Sequence, residues 1–190
     1  MTFDFAAARQ NMVDCQVRTA DVTDFTIQDA MLAVERETLC PPGRRSLAYA
    51  DAEIPCGDGL WMMRPRDIGK LLQALRPQAG ERALAIAAPY GAAVLAAMGL
   101  TAERMTDAAG GLPPGGPYDV IICEGAVSAT PAAWLAALAP GGRLGVVERA
   151  GPVGKAKLHV NGEGGLGVRE VFDSTPPFIP GFGPKPAFAF

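Results

Sequence analysis

The sequence predicts an α/β layered domain, and three observations carry that expectation. Between residues 65 and 148, apolar runs of strand length alternate with helical periodicities. The run from Tyr118 to Cys123 (Tyr-Asp-Val-Ile-Ile-Cys) is the clearest buried strand in the chain. Two β-type segments, Lys155 to Val160 and Val168 to Phe172, flank the turn signal Asn161-Gly162 and suggest an antiparallel pair. The chain has 190 residues, 49% hydrophobic and 19% charged, which suits one well-filled core and is too little charge for a disordered chain. Its net charge of −3 is scattered, and without a Lys/Arg run nucleic-acid binding has no electrostatic basis.

Thr23-Asp24 can cap a helix whose apolar face is Phe25, Ile27, Ala30, Met31 and Val34, ending before Pro41-Pro42-Gly43. Pro65 precedes an amphipathic segment with Ile68, Leu71, Leu72 and Leu75 on one face, closed by Pro77. Ala83 to Ala87 is read as a buried strand and Gly91 to Met98 as a small-residue helix packed against it. After the strand from Tyr118, Thr130 is expected to cap a helix with Pro131 in its first position and Gly141-Gly142 at its end. Arg143 to Glu148 follows as another strand.

The stretch from Ala83 to Ala102 carries no charge and is long enough to span a bilayer. It is mostly alanine and is broken by Pro89 and Gly91, so a strand, turn and helix of a water-soluble core fit it better, and no membrane contact is expected. The cysteines at 15, 40, 56 and 123 form no Cys-x-x-Cys pair, and His159 is far from all of them in sequence, which argues against a metal site. The start of the chain has Asp4 and no basic segment of the kind that opens a secretory leader, so a reducing cytoplasm without disulfides is expected.

Several patterns then occur in a telling order. Met12-Val13-Asp14-Cys15-Gln16-Val17, Val22-Thr23-Asp24, Asp29-Ala30-Met31, Arg36-Glu37 with Pro41, and Ala48-Tyr49-Ala50-Asp51 come first. Ile54-Pro55-Cys56-Gly57 with Gly59 and Pro65 follows, then Gly80, the strand at Leu84, and Ala92 to Ala96. Thr106-Asp107, Leu112-Pro113, Pro117-Tyr118-Asp119, Gly141 to Leu144 and Pro180-Gly181-Phe182 complete the set. No single pattern is specific, but the collinear series resembles the protein-L-isoaspartate O-methyltransferase family almost end to end. That resemblance implies a Rossmann-like methyltransferase fold, S-adenosylmethionine as methyl donor, and isoaspartyl carboxylates of damaged proteins as acceptors. Combined with the elements above, it implies a single domain. Residues 1–65 would be a helical segment with an active-site-like loop, 66–150 the Rossmann-like core, and 151–190 a C-terminal antiparallel hairpin and tail.

Three departures from the family pattern shape the functional expectation. The family's acid and glycine-rich loop fall on Ala85, Ala87 and Pro89, with only Gly91 retained, where glycine would serve a left-handed turn and close cofactor approach. Only Gly99 to Thr106 separates the helix from Asp107, whereas a further strand, helix and connections would need roughly 30 residues. The sheet is therefore expected to be shortened, and Glu103 does not match the family's ribose acid. The loop hydroxyl that positions the acceptor falls on Met63, with Trp61 at the neighbouring threonine position. No cofactor and no catalytic residue are expected on this basis, Gly91 and Asp107 being vestigial cofactor positions. A protein-contact role follows as the main functional expectation, and a divergent S-adenosylmethionine-dependent enzyme as the alternative.

Other residues carry weaker signals. Glu124 lies at the end of the best strand, where α/β sheets place ligand contacts. Cys123 is read as a small core residue, Asp119 as a cap at the strand entrance, Arg64 as a surface charge, and His159 as a hairpin residue with no acid or nucleophile near it. Trp61-Met62-Met63 is either core or an exposed apolar patch for a partner. Removal of a strand–helix unit would leave the strand at Ala83 to Ala87 with an unpaired side. A homodimer or protein partner covering it is the larger expectation, and internal repair by residues 104 to 106 the smaller.

Overall fold

The computed structural model describes residues 3–107 and 112–184; the first two residues of the chain start read above and the last six of the C-terminal unit lie outside them. Helix α1 (Phe5–Met12) starts at Asp4, whose carboxylate accepts the Ala7 amide at 3.0 Å. A wider turn (Val13–Val17) leads on to helix α2 (Phe25–Ala33), capped by Asp24 rather than Thr23. The helix stops at Ala33, short of Pro41; one tight turn (Arg36–Leu39) fills the gap and a second (Pro42–Leu47) follows Pro41. A small hairpin of β1 (Ile54–Gly57) and β2 (Leu60–Met62) then delivers the chain to helix α3 (Pro65–Leu75).

Helix α3 has the face that its periodicity predicts: Ile68, Leu71, Leu72 and Leu75 are all fully buried. They press on the central sheet, where Gly145 makes room, since a Cβ there would lie 3.0 Å from Leu71. The sheet comprises β3 (Arg82–Ile86), β4 (Thr101–Met105), β5 (Tyr118–Val127), β6 (Leu138–Glu148), β7 (Gly154–Gly162) and β8 (Gly165–Ser174). Its spatial order is β4-β3-β5-β6-β7-β8, with the first four strands parallel and the last two antiparallel. Helix α4 (Pro89–Ala97) makes the crossover from β3 to β4, and α1, α2, α3 and α4 share one core with that face of the sheet.

Several expectations change. The short segment after α4 does hold a strand: β4 pairs along all of β3, with Arg82 opposite Thr101 and Ile86 opposite Met105. The described residues between Met105 and Tyr118 contain no helix or strand, so the sheet is shortened by what would follow β4. Strand β3 is paired on both sides, and the ground for expecting a second chain against it falls away; the smaller expectation, internal repair, is what forms, over 101–105. Thr130 does not cap a helix. The next helix, α5, is a short turn (Ala132–Ala136) without a side-chain cap, and Gly141-Gly142 lies inside β6 rather than ending a helix. Gly142 packs so tightly that a Cβ would sit 2.7 Å from the Tyr118 carbonyl oxygen. The terminal hairpin forms, but Asn161 and Gly162 stay in the ladder opposite Leu166 and Gly165, and the turn moves to Glu163-Gly164. Asn161 is held there because its side-chain amide donates to the carbonyls of Leu138 and Ala139 at 3.2 and 3.1 Å.

Past β8 the chain runs back across the end of β5. Phe178 bridges Ala126, the Ile179 amide donates to the Ala126 carbonyl, and Ser128 donates through both its amide and its hydroxyl to the Phe182 carbonyl at 2.8 Å. Gly125, at φ 141°, permits this approach; a Cβ would meet Ile179 at 2.7 Å. Trp134 is fully buried under this strap, its ring centroid 5.0 Å from that of Phe182.

Candidate functional site

The carboxyl ends of parallel strands are where α/β sheets gather ligands. Here β3 ends at Ile86, and Ala87 turns the chain through φ 47° while its amide donates to the Met105 carbonyl at 2.8 Å. The left-handed turn is thus kept although alanine stands where the family resemblance implies a glycine. A Cβ in this region costs about 1–2 kcal/mol. Ala87→Gly is therefore expected to raise stability by up to about 1 kcal/mol, offset in part by the entropy that glycine adds to the unfolded chain. Urea titration of the two proteins checks this, and a loss of stability would contradict it. Pro89 takes the first position of α4, where its fixed φ suits the helix and its missing amide is not needed.

Opposite this turn stands Glu124, 2% exposed. One oxygen accepts the amides of Tyr90 (2.7 Å) and Gly91 (2.9 Å) at the start of α4, and the other accepts the Met63 amide at 3.2 Å. Burial pushes this carboxyl above the usual range, against the pull of Arg36 and the three amides. Arg36 is fully buried beside it. It donates to the carbonyls of Ala48 (2.7 Å) and Met63 (2.5 Å), and its guanidinium lies 4.5 Å above the Tyr90 ring. Tyr90 itself is fully buried, and burial pushes its phenol far up. The cluster continues outward. The Tyr49 hydroxyl donates to Glu37 and accepts from Arg9 at 2.9 Å, and Arg9 pairs with Glu37 at 3.3 Å. Burial and the Glu37 contact push Tyr49 up to about 12.

The other singled-out residues lie as follows. Gly91 is buried in the first turn of α4, and Asp107 is exposed just beyond β4. Met62 and Met63 are core and Trp61 is half-buried, so this run forms no exposed patch. Glu103 is bound to Arg82 at 2.6 Å and accepts from the Tyr118 hydroxyl, which holds it below its usual range and ties it to the start of β5. Arg64 pairs with Glu53 at 3.0 Å, and Asp119 accepts the Arg82 amide at 2.9 Å, a strand-entrance bond of the expected kind. Cys123 is fully buried among core residues of the opposite face. Among the described residues, all four cysteines are free thiols and no group of three or more His, Cys, Asp or Glu side chains converges to hold a metal.

His159 corrects its expectation: an acid and a hydroxyl do lie near it. Its Nε2 is 3.3 Å from the Thr130 hydroxyl and 4.0 Å from Glu148, which also takes the Thr130 hydroxyl (2.5 Å), the Thr130 amide (3.0 Å) and Lys157 (2.5 Å). Burial lowers His159 below its usual range despite Glu148. Hydroxyl and carboxylate approach the same ring nitrogen, so the acid does not orient the imidazole from its far side as a nucleophile triad requires.

Arg36 and Glu37 were legible only as part of a pattern. Their role as a buried floor shows nowhere in periodicity, since charged residues in a turn read as surface.

A mostly parallel sheet, a left-handed turn after β3 and a helix N-terminus facing the end of β5 define a Rossmann-like α/β class. The profile of the protein-L-isoaspartate(D-aspartate) O-methyltransferase family (PCMT) matches residues 7–104 and 100–160. A protein-L-isoaspartate O-methyltransferase of Methylorubrum extorquens (strain PA1) is 32% identical, the alignment covering 90% of this chain and 85% of the relative. One of Methylorubrum populi (strain ATCC BAA-705 / NCIMB 13946 / BJ001) is 33% identical over 83% of this chain and 87% of the relative. A Plasmodium falciparum β-aspartate methyltransferase (PCMT) structure, in complex with S-adenosyl-L-homocysteine, superposes with a TM-score of 0.76 at 14% identity, covering 95% of this chain and all of that one. The chain belongs to the protein-L-isoaspartate O-methyltransferase family.

Membership overturns the expectation that no cofactor is used: the family's methyl donor is S-adenosylmethionine, and the Plasmodium structure carries its demethylated product. As closed here, however, the crevice does not fit that cofactor. The α4 amides are taken by Glu124, and Ala85, Ala87, Ala88 and Tyr90 are all buried. No helix among the described residues is long and apolar enough to cross a membrane.

Proposed function

We propose that this chain is a divergent S-adenosylmethionine-dependent methyltransferase acting on isoaspartyl residues of damaged proteins. The observation that carries this reading is the strand–turn–helix unit from Arg82 to Ala97 with its left-handed turn preserved at Ala87, set in a family match that runs to residue 160. The acid missing at Ala85 and the hydroxyl missing at Met63 argue for weak activity. Each lost charged hydrogen bond is worth about 1.5–3 kcal/mol, roughly ten- to a hundredfold in affinity. Incubation with methyl-labelled S-adenosylmethionine and an isoaspartyl peptide, alongside calorimetry with S-adenosylhomocysteine, tests it. Slow methyl ester formation above a protein-free blank is the expected result.

A second reading is favoured by the sealed crevice: a relative without methyl transfer that uses the scaffold for protein contact, as a homodimer or with another protein. Absence of both ester formation and S-adenosylhomocysteine binding would leave this second reading and remove the first.

A further inference from the structure

The two edges of the sheet are built differently. β4 has five residues, and its Glu103 is tied inward to Arg82 at 2.6 Å. β8 has ten, and every residue from Gly165 to Glu170 is exposed, Leu166 at 56% and Val168 at 60%. Alternate residues of an edge strand turn their N–H and C=O groups outward, where another extended chain can pair with them. Beside β8 lies an open cleft of about 600 Å³ whose lining includes Thr23, Asp24, Gln73, Arg76, Arg169 and Val171. Its far wall is fixed. Gln73 Oε1 accepts the Thr23 and Asp24 amides at 2.6 and 3.1 Å, and the Gln73 side-chain amide donates to the Asp21 carbonyl at 2.8 Å. Asp24 is engaged in capping α2, while Arg76 and Arg169 are exposed and have no carboxylate partner among the described residues. The two faces of β8 differ in kind. Arg169 stands opposite Leu158, which belongs to the core under the helices, whereas Leu166 and Val168 stand opposite Asn161 and His159 on the other face.

We infer that β8 and this cleft form a docking site for an extended segment of another protein in which acidic and apolar residues alternate. The segment adds to the sheet as a further strand, its carboxylates meeting Arg76 and Arg169 and its apolar side chains covering Leu166 and Val168. A second copy of β8 does not suit this edge. Glu170 lies opposite Lys157 and Asp173 is bound to Lys155 at 2.6 Å, so another β8 would bring an arginine, not an acid, to the cleft. In the sheet order β6 and β7 separate β8 from β5, so peptide binding and methyl transfer can each be lost without the other.

The probe is a fluorescent peptide of about eight residues in which Val and Glu alternate. Anisotropy is expected to show saturable binding to the native chain, about tenfold weaker to the double variant Arg76→Ala/Arg169→Ala, and none for a matching Val-Lys peptide. The amide NMR signals of Gly165 to Val171 should shift as the Val-Glu peptide binds. Two further peptides carry N-methyl groups, one on its Val amides and the other on its Glu amides. An added strand pairs along one of its edges only, so one of these should lose binding and the other keep it. No binding, equal affinity without the two arginines, equal binding of the Val-Lys peptide, or loss with both or neither of the N-methyl peptides would overturn the docking site. A dimer by light scattering whose β8 amides ignore the peptide would assign the edge to a second copy and overturn it as well.

Discussion

Arg36→Ala is expected to lower the unfolding free energy by about 3–5 kcal/mol, since it removes two buried hydrogen bonds from a charged donor, each worth about 1.5–3 kcal/mol. The effect has several parts in one residue. The substitution removes the charge that pulls the Glu124 carboxyl down and leaves the carbonyls of Ala48 and Met63 without their guanidinium donor. It also empties the space above the Tyr90 ring. Arg36→Lys should restore little, because a single ammonium cannot reach two carbonyls of different segments while lying flat on a ring. Urea unfolding measures both, and the double variant with Glu124→Gln should lose less than the sum of the single losses. Additive losses would mean that the two side chains are energetically independent.

Leu71→Ala is expected to cost about 2–5 kcal/mol, with the value set by how far the surroundings relax. Relaxation is limited here. Leu71 sits in the middle of the α3 face and meets β6 at Gly145, where the nearest imagined Cβ contact is already 3.0 Å. Backbone on one side and fully buried Ile68, Leu72 and Leu75 around it leave few atoms free to fill a hole. Leu71→Met, which conserves volume, should cost less than about 1.5 kcal/mol. Thermal and urea unfolding give the comparison, and an alanine loss no larger than the methionine loss would refute tight packing at this point.

The fold was legible where residues answer to a period. Ile68, Leu71, Leu72 and Leu75 recur at helical spacing, and the run from Val120 to Cys123 is apolar on both faces; both elements are where the pattern puts them. Strand β4 was hidden because Thr101-Ala-Glu-Arg104 has neither an apolar run nor alternation; the ladder with β3 makes it a strand, a tertiary effect that local sequence does not encode. Thr130 looked like a cap because hydroxyl residues before proline are good caps, but Glu148, eighteen positions on, competes for the same hydroxyl and amide and wins. In the site, Glu124 was legible by position alone, at the end of a buried strand. Arg36 was not, because nothing in a turn sequence shows that it will be folded under a tyrosine ring.

The strap across the end of β5 also bears on the order in which the domain is assembled. Strand β3, helix α4 and strand β4 come from one contiguous stretch and can close as a local unit while the chain is still being made. Gly125, Ser128 and Trp134 must wait for their cover, since Ser128 meets Phe182 across 54 positions of sequence. Until that segment arrives, the newly formed sheet presents a glycine-lined end and an indole to solvent. That interval is when a nascent chain is most open to capture by a chaperone or by a neighbouring copy of itself.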